Sequence, residues 1–138
     1  MRYLLDTHTL IWLMTDDNRL PEQVKESVLY CQDDYSVSSL SLIEILQLQQ
    51  GGKITFRDRP ATVSRLLSEM NINIEPVSVD ILDHLYDIDI PRTPFGSHSD
   101  PFDRIIIATA IKRNMTLVSA DTKFPWYQQH CGLHLLHI

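Results

Sequence analysis

Residues 98–113 read H-S-D-P-F-D-R-I-I-I-A-T-A-I-K-R, a stretch that opens with two carboxylates at helix-starting positions and then turns almost wholly apolar. Asp100 suits the N-cap, Pro101 the first helical position, and Asp103 the third, where a carboxylate meets the positive end of the helix dipole. Ile106, Ile107, Ala110 and Ile111 recur at helical spacing and give a broad buried face, with small Ala108 and Ala110 allowing close approach. Asp103 lies one turn before that face, which places its carboxylate at a helix mouth, on the edge of the core. D-P-F-D is also a good capping sequence in its own right, so these acids need company before they argue for chemistry.

The chain has 138 residues, of which 43% are hydrophobic, enough for one compact domain over residues 1–138. No apolar run approaches the roughly 20 residues of a membrane span, and Met1-Arg2 leads into Tyr3-Leu4-Leu5-Asp6 without a signal-peptide pattern. A soluble, cytoplasmic protein is expected. Cys31 and Cys131 lie far apart with no C-x-x-C, which argues against a disulfide framework or thiol redox motif and points to two reduced thiols. A net charge of -6 argues against a uniformly basic surface for duplex nucleic acid. It leaves room for a local nucleic-acid site, because acids that bind metal enter the same sum.

Residues 3–5 form a continuously apolar strand of the kind covered on both faces, and Asp6 ends it. Residues 10–14 follow as a helix whose Ile11-Trp12-Leu13 is expected in the core. A second helix opens at Pro21-Glu22 and runs to Tyr30, with Val24, Val28 and Leu29 inward, and residues 35–38 are a second strand. Ser41-x-x-Glu44 is a capping-box signature, predicting a helix over 42–50 that stops at Gly51-Gly52. Leu40, Leu42, Ile43, Ile45, Leu46 and Leu48 leave that helix almost no polar face, which predicts a subunit interface. Asp58 and Pro60 start another helix to Met70, 72–77 is a strand, and 79–85 is helical. Residues 88–99 are a long loop, a candidate lid or contact segment. Thr116 to Ser119 is a buried strand closed by Ala120-Asp121, and 133–136 is the last strand. Strands alternating with helices imply an α/β fold with a parallel sheet.

Asp6 and Asp121 each end a strand; Glu44 and Asp103 each sit in the first turn of a helix. A parallel sheet brings all four to one edge, where ligands of α/β proteins gather. Caps explain each acid separately, but four together repel unless divalent cations or protons neutralise them. Oxygen donors without a matching cysteine or histidine suit Mg²⁺ or Mn²⁺. Hydrolysis of a phosphodiester by metal-activated water is the chemistry such a set supports.

L-L-D-T-H at 4–8, S-x-x-S-L-x-E-I at 38–45, D-P-F-D-R-I-I-I-A-T-A at 100–110 and L-V-S-A-D at 117–121 together resemble PIN-domain ribonucleases, specifically the VapC-type toxins of toxin-antitoxin pairs. The resemblance spans essentially the whole chain. It implies a three-layer α/β/α fold with a five-stranded parallel sheet and a Mg²⁺- or Mn²⁺-dependent endoribonuclease. Asp6, Glu44, Asp103 and Asp121 would be its acidic quartet, with Asp6 and Asp103 as direct metal ligands and Glu44 and Asp121 holding the ion or orienting the attacking water. Asp100 either joins the metal site or only caps its helix. Ser119 would bond a carboxylate or a metal water, and Thr7 and Arg104 are candidates to touch a phosphate. The resemblance further implies a homodimer, and a cognate antitoxin that places a basic side chain among the acids.

Two features depart from the family pattern. Leu48 stands where similar proteins often carry a lysine, and the loop before D-P-F-D is longer, through Arg92 and Gly96. Candidate phosphate contacts are therefore Lys53, Arg57, Arg59 and Arg92. Two alternatives remain open: a PIN-like module that binds a partner without catalysis, and a phosphoaspartyl phosphohydrolase. The latter lacks a second aspartate two residues after Asp6, where His8 stands. A zinc site from Cys131, His134 and His137 is disfavoured, because His134 and His137 would fall on opposite faces of a strand.

Overall fold

The structure, a computed structural model, describes residues 1–87 and 100–138. Five parallel strands form one sheet in the order β3-β2-β1-β4-β5, with β1 Arg2–Leu5, β2 Asp34–Ser38, β3 Ile72–Glu75, β4 Thr116–Ser119 and β5 Leu135–His137. The helices are α1 Thr7–Met14, α2 Glu22–Leu29, α3 Ser39–Gln50, α4 Pro60–Glu69, α5 Val79–Asp87, α6 Pro101–Lys112 and α7 Phe124–His130. The expected α/β/α architecture with a parallel five-stranded sheet is what the chain adopts.

Alternation along the central strands builds the two covering layers. Leu5, Val37 and Val118 point to one face, where Leu10 and Ile11 of α1, Val28 of α2, Ile45 of α3 and Val63 and Leu67 of α4 complete a core. Leu4 and Leu117 point to the other, against Ile106, Ile107 and Ala110 of α6 and Phe124 and Tyr127 of α7. That is why 3–5 and 116–119 read as unbroken apolar runs. Burying a side chain of this size contributes about 1.5–3 kcal/mol.

Several local expectations shift. The helix after β2 starts at Ser39, capped by Ser38, whose hydroxyl accepts from the Leu40 amide at 3.1 Å. Glu44 is thus in the second turn of α3 and closes no capping box; Ser41 is instead buried against α1. Leu29 is 70% exposed, because the buried face of α2 is made by Val24, Ser27 and Val28, and Leu29 lies one residue round the helix from that face. The N-cap of α4 is Arg59, which makes no side-chain capping bond, with Pro60 at the first helical position. The last strand sits two residues later than expected, since α7, which the pattern did not suggest, takes up residues 124–130. The proposed contact loop at 88–99, with Arg92, lies outside the described residues. Among the described residues no helix is long and apolar enough to cross a membrane.

Candidate acidic active site

β1 and β4 are the neighbours at which the chain switches from one half of the sheet to the other, and their carboxyl ends open into a crevice. The register sets Leu5 beside Val118, so Asp6 and Ser119 emerge side by side. Ser119 Oγ donates to Asp6 Oδ2 at 2.5 Å, and Asp6 Oδ1 accepts from the Thr9 amide at 2.8 Å as the N-cap of α1. Asp6 is both a cap and a site residue, only 8% exposed. Ser119 Oγ also accepts from the Asp121 amide at 3.0 Å, so one fully buried hydroxyl fixes two of the acids. Thr7 donates to Ser41 at 2.9 Å, tying the first turn of α1 to that of α3, the helix that carries Glu44.

α6 starts as its sequence predicts. Asp100 caps it, accepting from the Phe102 amide at 2.9 Å, with Pro101 following and Asp103 in the first turn. Asp6, Glu44, Asp100, Asp103 and Asp121 line one cleft of about 330 Å³. The Asp103 carboxyl is pushed up to about 7, first by burial and then by Asp100, Asp121 and Glu44, against which Lys123 pulls. The cleft is therefore short of positive charge, and its donors are hard oxygens. That set fits a divalent cation of the Mg²⁺ or Mn²⁺ kind in chemistry and in charge. As they stand, no three His, Cys, Asp or Glu side chains among the described residues are close enough together to hold an ion.

The other candidates divide. Lys53 lines a separate groove with Arg19 and Phe56, Arg57 donates to the Gln49 carbonyl at 2.7 Å near the end of α3, and Arg59 is exposed at the head of α4. None of these three lines the acidic cleft. Arg104 stays outside it too; its Nε is buried with no hydrogen-bond partner among the described residues. Its charge lies near the Tyr127 phenol, itself pushed up to about 12 by burial and by Asp103. Beyond the site residues the sequence singled out, the cleft is lined by His8, Trp12, Ile106, Ala120 and Lys123. His8 and Trp12 are four apart on α1, a spacing that could have placed them on one face. Trp12 belongs to neither core cluster, whereas Ile11 and Leu13 join the core as expected.

The PIN domain family model matches residues 3–128. No curated protein is similar enough in sequence to match the chain. Among solved structures, VapBC2 from Rickettsia felis bound to a DNA fragment from its promoter is similar over 99% of this chain and 98% of that one, with 21% identity and a TM-score of 0.68. VapBC-1 from nontypeable Haemophilus influenzae shows 21% identity over the same shares, with a TM-score of 0.67. DNA-bound VapBC from Salmonella typhimurium shows 19% identity, again over 99% and 98%, with a TM-score of 0.68. From the sheet order, the acids at its switch point and the family match together, this chain belongs to the PIN domain family.

Proposed function

We propose that this chain is a VapC-type toxin, a divalent-metal-dependent endoribonuclease that hydrolyses RNA phosphodiester bonds. The observation that carries the reading is the shared cleft of Asp6, Glu44, Asp103 and Asp121, with the Asp103 carboxyl raised by burial and then by its acidic neighbours. Perturbed carboxyls in a cleft at a sheet switch point are the mark of a working site. Bound Mg²⁺ or Mn²⁺ supplies the charge that activates a water and stabilises the leaving oxygen. Asp6 and Asp103 hold the ion, with Glu44 and Asp121 completing the set or orienting the water. Ser119 fixes Asp6 and Asp121 relative to each other, and Thr7 braces α1 against α3. Asp100 serves chiefly as the cap of α6.

Incubating the protein with total cellular RNA in Mg²⁺, Mn²⁺ or EDTA and mapping new ends tests this directly. Discrete, metal-dependent cuts lost in Asp6→Asn and Asp103→Asn are expected. Folded protein that leaves RNA intact with either metal would instead mark a binding module.

The similar structures include VapBC complexes and a toxin-antitoxin complex from Klebsiella pneumoniae, and this supports a cognate antitoxin for this chain. A guanidinium or ammonium from such a partner would neutralise the cleft acids in place of the metal. Homodimerisation is supported by Ile43 and Leu46 on α3 and Leu82 on α5, which are 51%, 36% and 43% exposed. A dimeric mass by light scattering at micromolar concentration is expected, reduced to the monomer by Ile43→Asp with Leu82→Asp. A monomeric mass for the unaltered protein would refute the interface.

A further inference from the structure

Trp12 is a large aromatic side chain that joins neither hydrophobic core among the described residues, half-buried on the wall of the cleft that holds the acids. Its ring is held from outside that cleft. The Arg19 guanidinium lies 4.9 Å from the ring centroid and is not among the groups lining the acidic cleft. Arg19 is in turn clamped by Asp17, whose carboxylate accepts from the Arg19 amide at 2.8 Å, from Nε at 3.1 Å and from Nη2 at 2.8 Å. Two of these bonds come from the guanidinium fork and the third from the backbone, so the cation behind the indole is oriented by one carboxylate. Arg19 also lines, with Lys53 and Phe56, a second groove of about 370 Å³. Within the acidic cleft, His8 stands one turn before Trp12 and Lys123 stands beside Asp121.

Acids that take a metal and cations that take phosphates thus flank one oriented aromatic face. Unpaired bases stack on such faces, with phosphates tracked by neighbouring cations, and the arrangement excludes a base held in a duplex. We propose that Trp12, backed by Arg19, is the stacking platform for an unpaired base of the RNA next to the scissile phosphate. The strand then leaves the acidic cleft across the ring into the groove of Arg19 and Lys53. This inference rests on the ribonuclease reading and deepens it. It makes Trp12 a determinant of single-strandedness at the cut site, in a chain whose net charge of -6 gives little general attraction for RNA.

Fluorescence reads the platform without relying on cleavage. In a Trp126→Phe, Asp103→Asn protein the emission comes from Trp12 alone, and the probe is a short unpaired oligoribonucleotide, with an abasic sugar-phosphate oligomer of equal length as control. The base-bearing oligomer is expected to quench Trp12 and the abasic one to leave it unchanged. Trp12→Leu should weaken binding of the base-bearing oligomer by about 5- to 150-fold while altering abasic binding little, and Trp12→Phe should fall between. Arg19→Gln, which leaves the ring in place, should weaken binding less than Trp12→Leu. Absence of quenching, or equal affinity of Trp12→Leu and the parent for the base-bearing oligomer, overturns the platform. A face that serves a protein partner would give that second result. The unaltered protein's cleavage of RNA separates the two claims: cuts without quenching sink the platform alone, and quenching without cuts sinks the nuclease.

Discussion

Two groups of carboxylates in this protein are treated in opposite ways. Around Arg113, Glu75 accepts from Nε at 2.6 Å and Asp80 accepts from Nη1 at 2.5 Å, joining the end of β3 and the start of α5 to the end of α6. The Arg113 guanidinium, with help from Ser78, holds the Asp80 carboxyl far below the ordinary carboxylate range. In the cleft at the switch point, Asp103 faces burial and other acids, and its carboxyl moves up to about 7. An acid answered by a fixed cation is part of the scaffold. An acid crowded by acids carries an electrostatic cost that the scaffold does not need, and it persists where a ligand or a reaction uses it.

The largest effect that sharpens this contrast is on activity. Asp103→Asn should lower RNA cleavage by about a thousandfold or more, because it removes a ligand charge worth several kcal/mol in the transition state. Asp80→Asn should leave cleavage within a few-fold of the parent. Comparable losses in both would erase the distinction.

Next comes pH. The Asp103 carboxyl is raised from its ordinary 3.8 to about 7, so between those values the folded chain holds a proton that the unfolded chain has released. Stability from this group is full below about 4 and is lost as pH rises through 7. Without metal, the melting temperature should therefore fall between pH 5 and 8, and the fall should shrink in Asp103→Asn. A fall of equal size in both proteins would place its origin elsewhere.

Smaller still is the effect of the shared hydroxyl. Ser119→Ala leaves an oxygen of Asp6 and the amide of Asp121 without their buried partner, at a cost of about 1–3 kcal/mol seen in the denaturant midpoint. Cleavage should drop by about tenfold, through misplaced acids rather than lost ligands. Arg113→Met should lower the midpoint and leave cleavage unchanged, which is the mildest expected outcome and the one that most cleanly sets scaffold acids apart from site acids.

Legibility from sequence follows the same division between local and distant causes. α6 could be read to the residue because Asp100, Pro101 and Asp103 state its start within four positions. The inner strands could be read because burial on both faces leaves no polar alternation, as in Leu4-Leu5. α3 starts three residues before its expected position: Ser38, Ser39 and Ser41 can all cap, and in the fold Ser38 does so while the Ser41 hydroxyl pairs with Thr7, 34 residues away. α7 is hard to read in the sequence because its signal, buried Phe124 and Tyr127 with Pro125 between them, is one short turn of spacing. Asp6, Asp103 and Asp121 are visible in the sequence as element ends, whereas Glu44 reaches the cleft from the second turn of α3. Trp12 and Lys123 are not visible there, because only the folded cleft separates a wall residue from a core residue or a surface lysine.

The most direct test of the central claim is whether the cleft acids take a divalent cation. Melting temperature measured against increasing Mn²⁺ at pH 8 should rise saturably in the unaltered protein, as expected for a ligand that binds only the folded state. It should rise far less in Asp103→Asn, with Asp80→Asn behaving like the parent. An equal rise in all three, or none in the unaltered protein, would contradict the assignment of Asp6, Glu44, Asp103 and Asp121 as a metal-dependent hydrolytic centre.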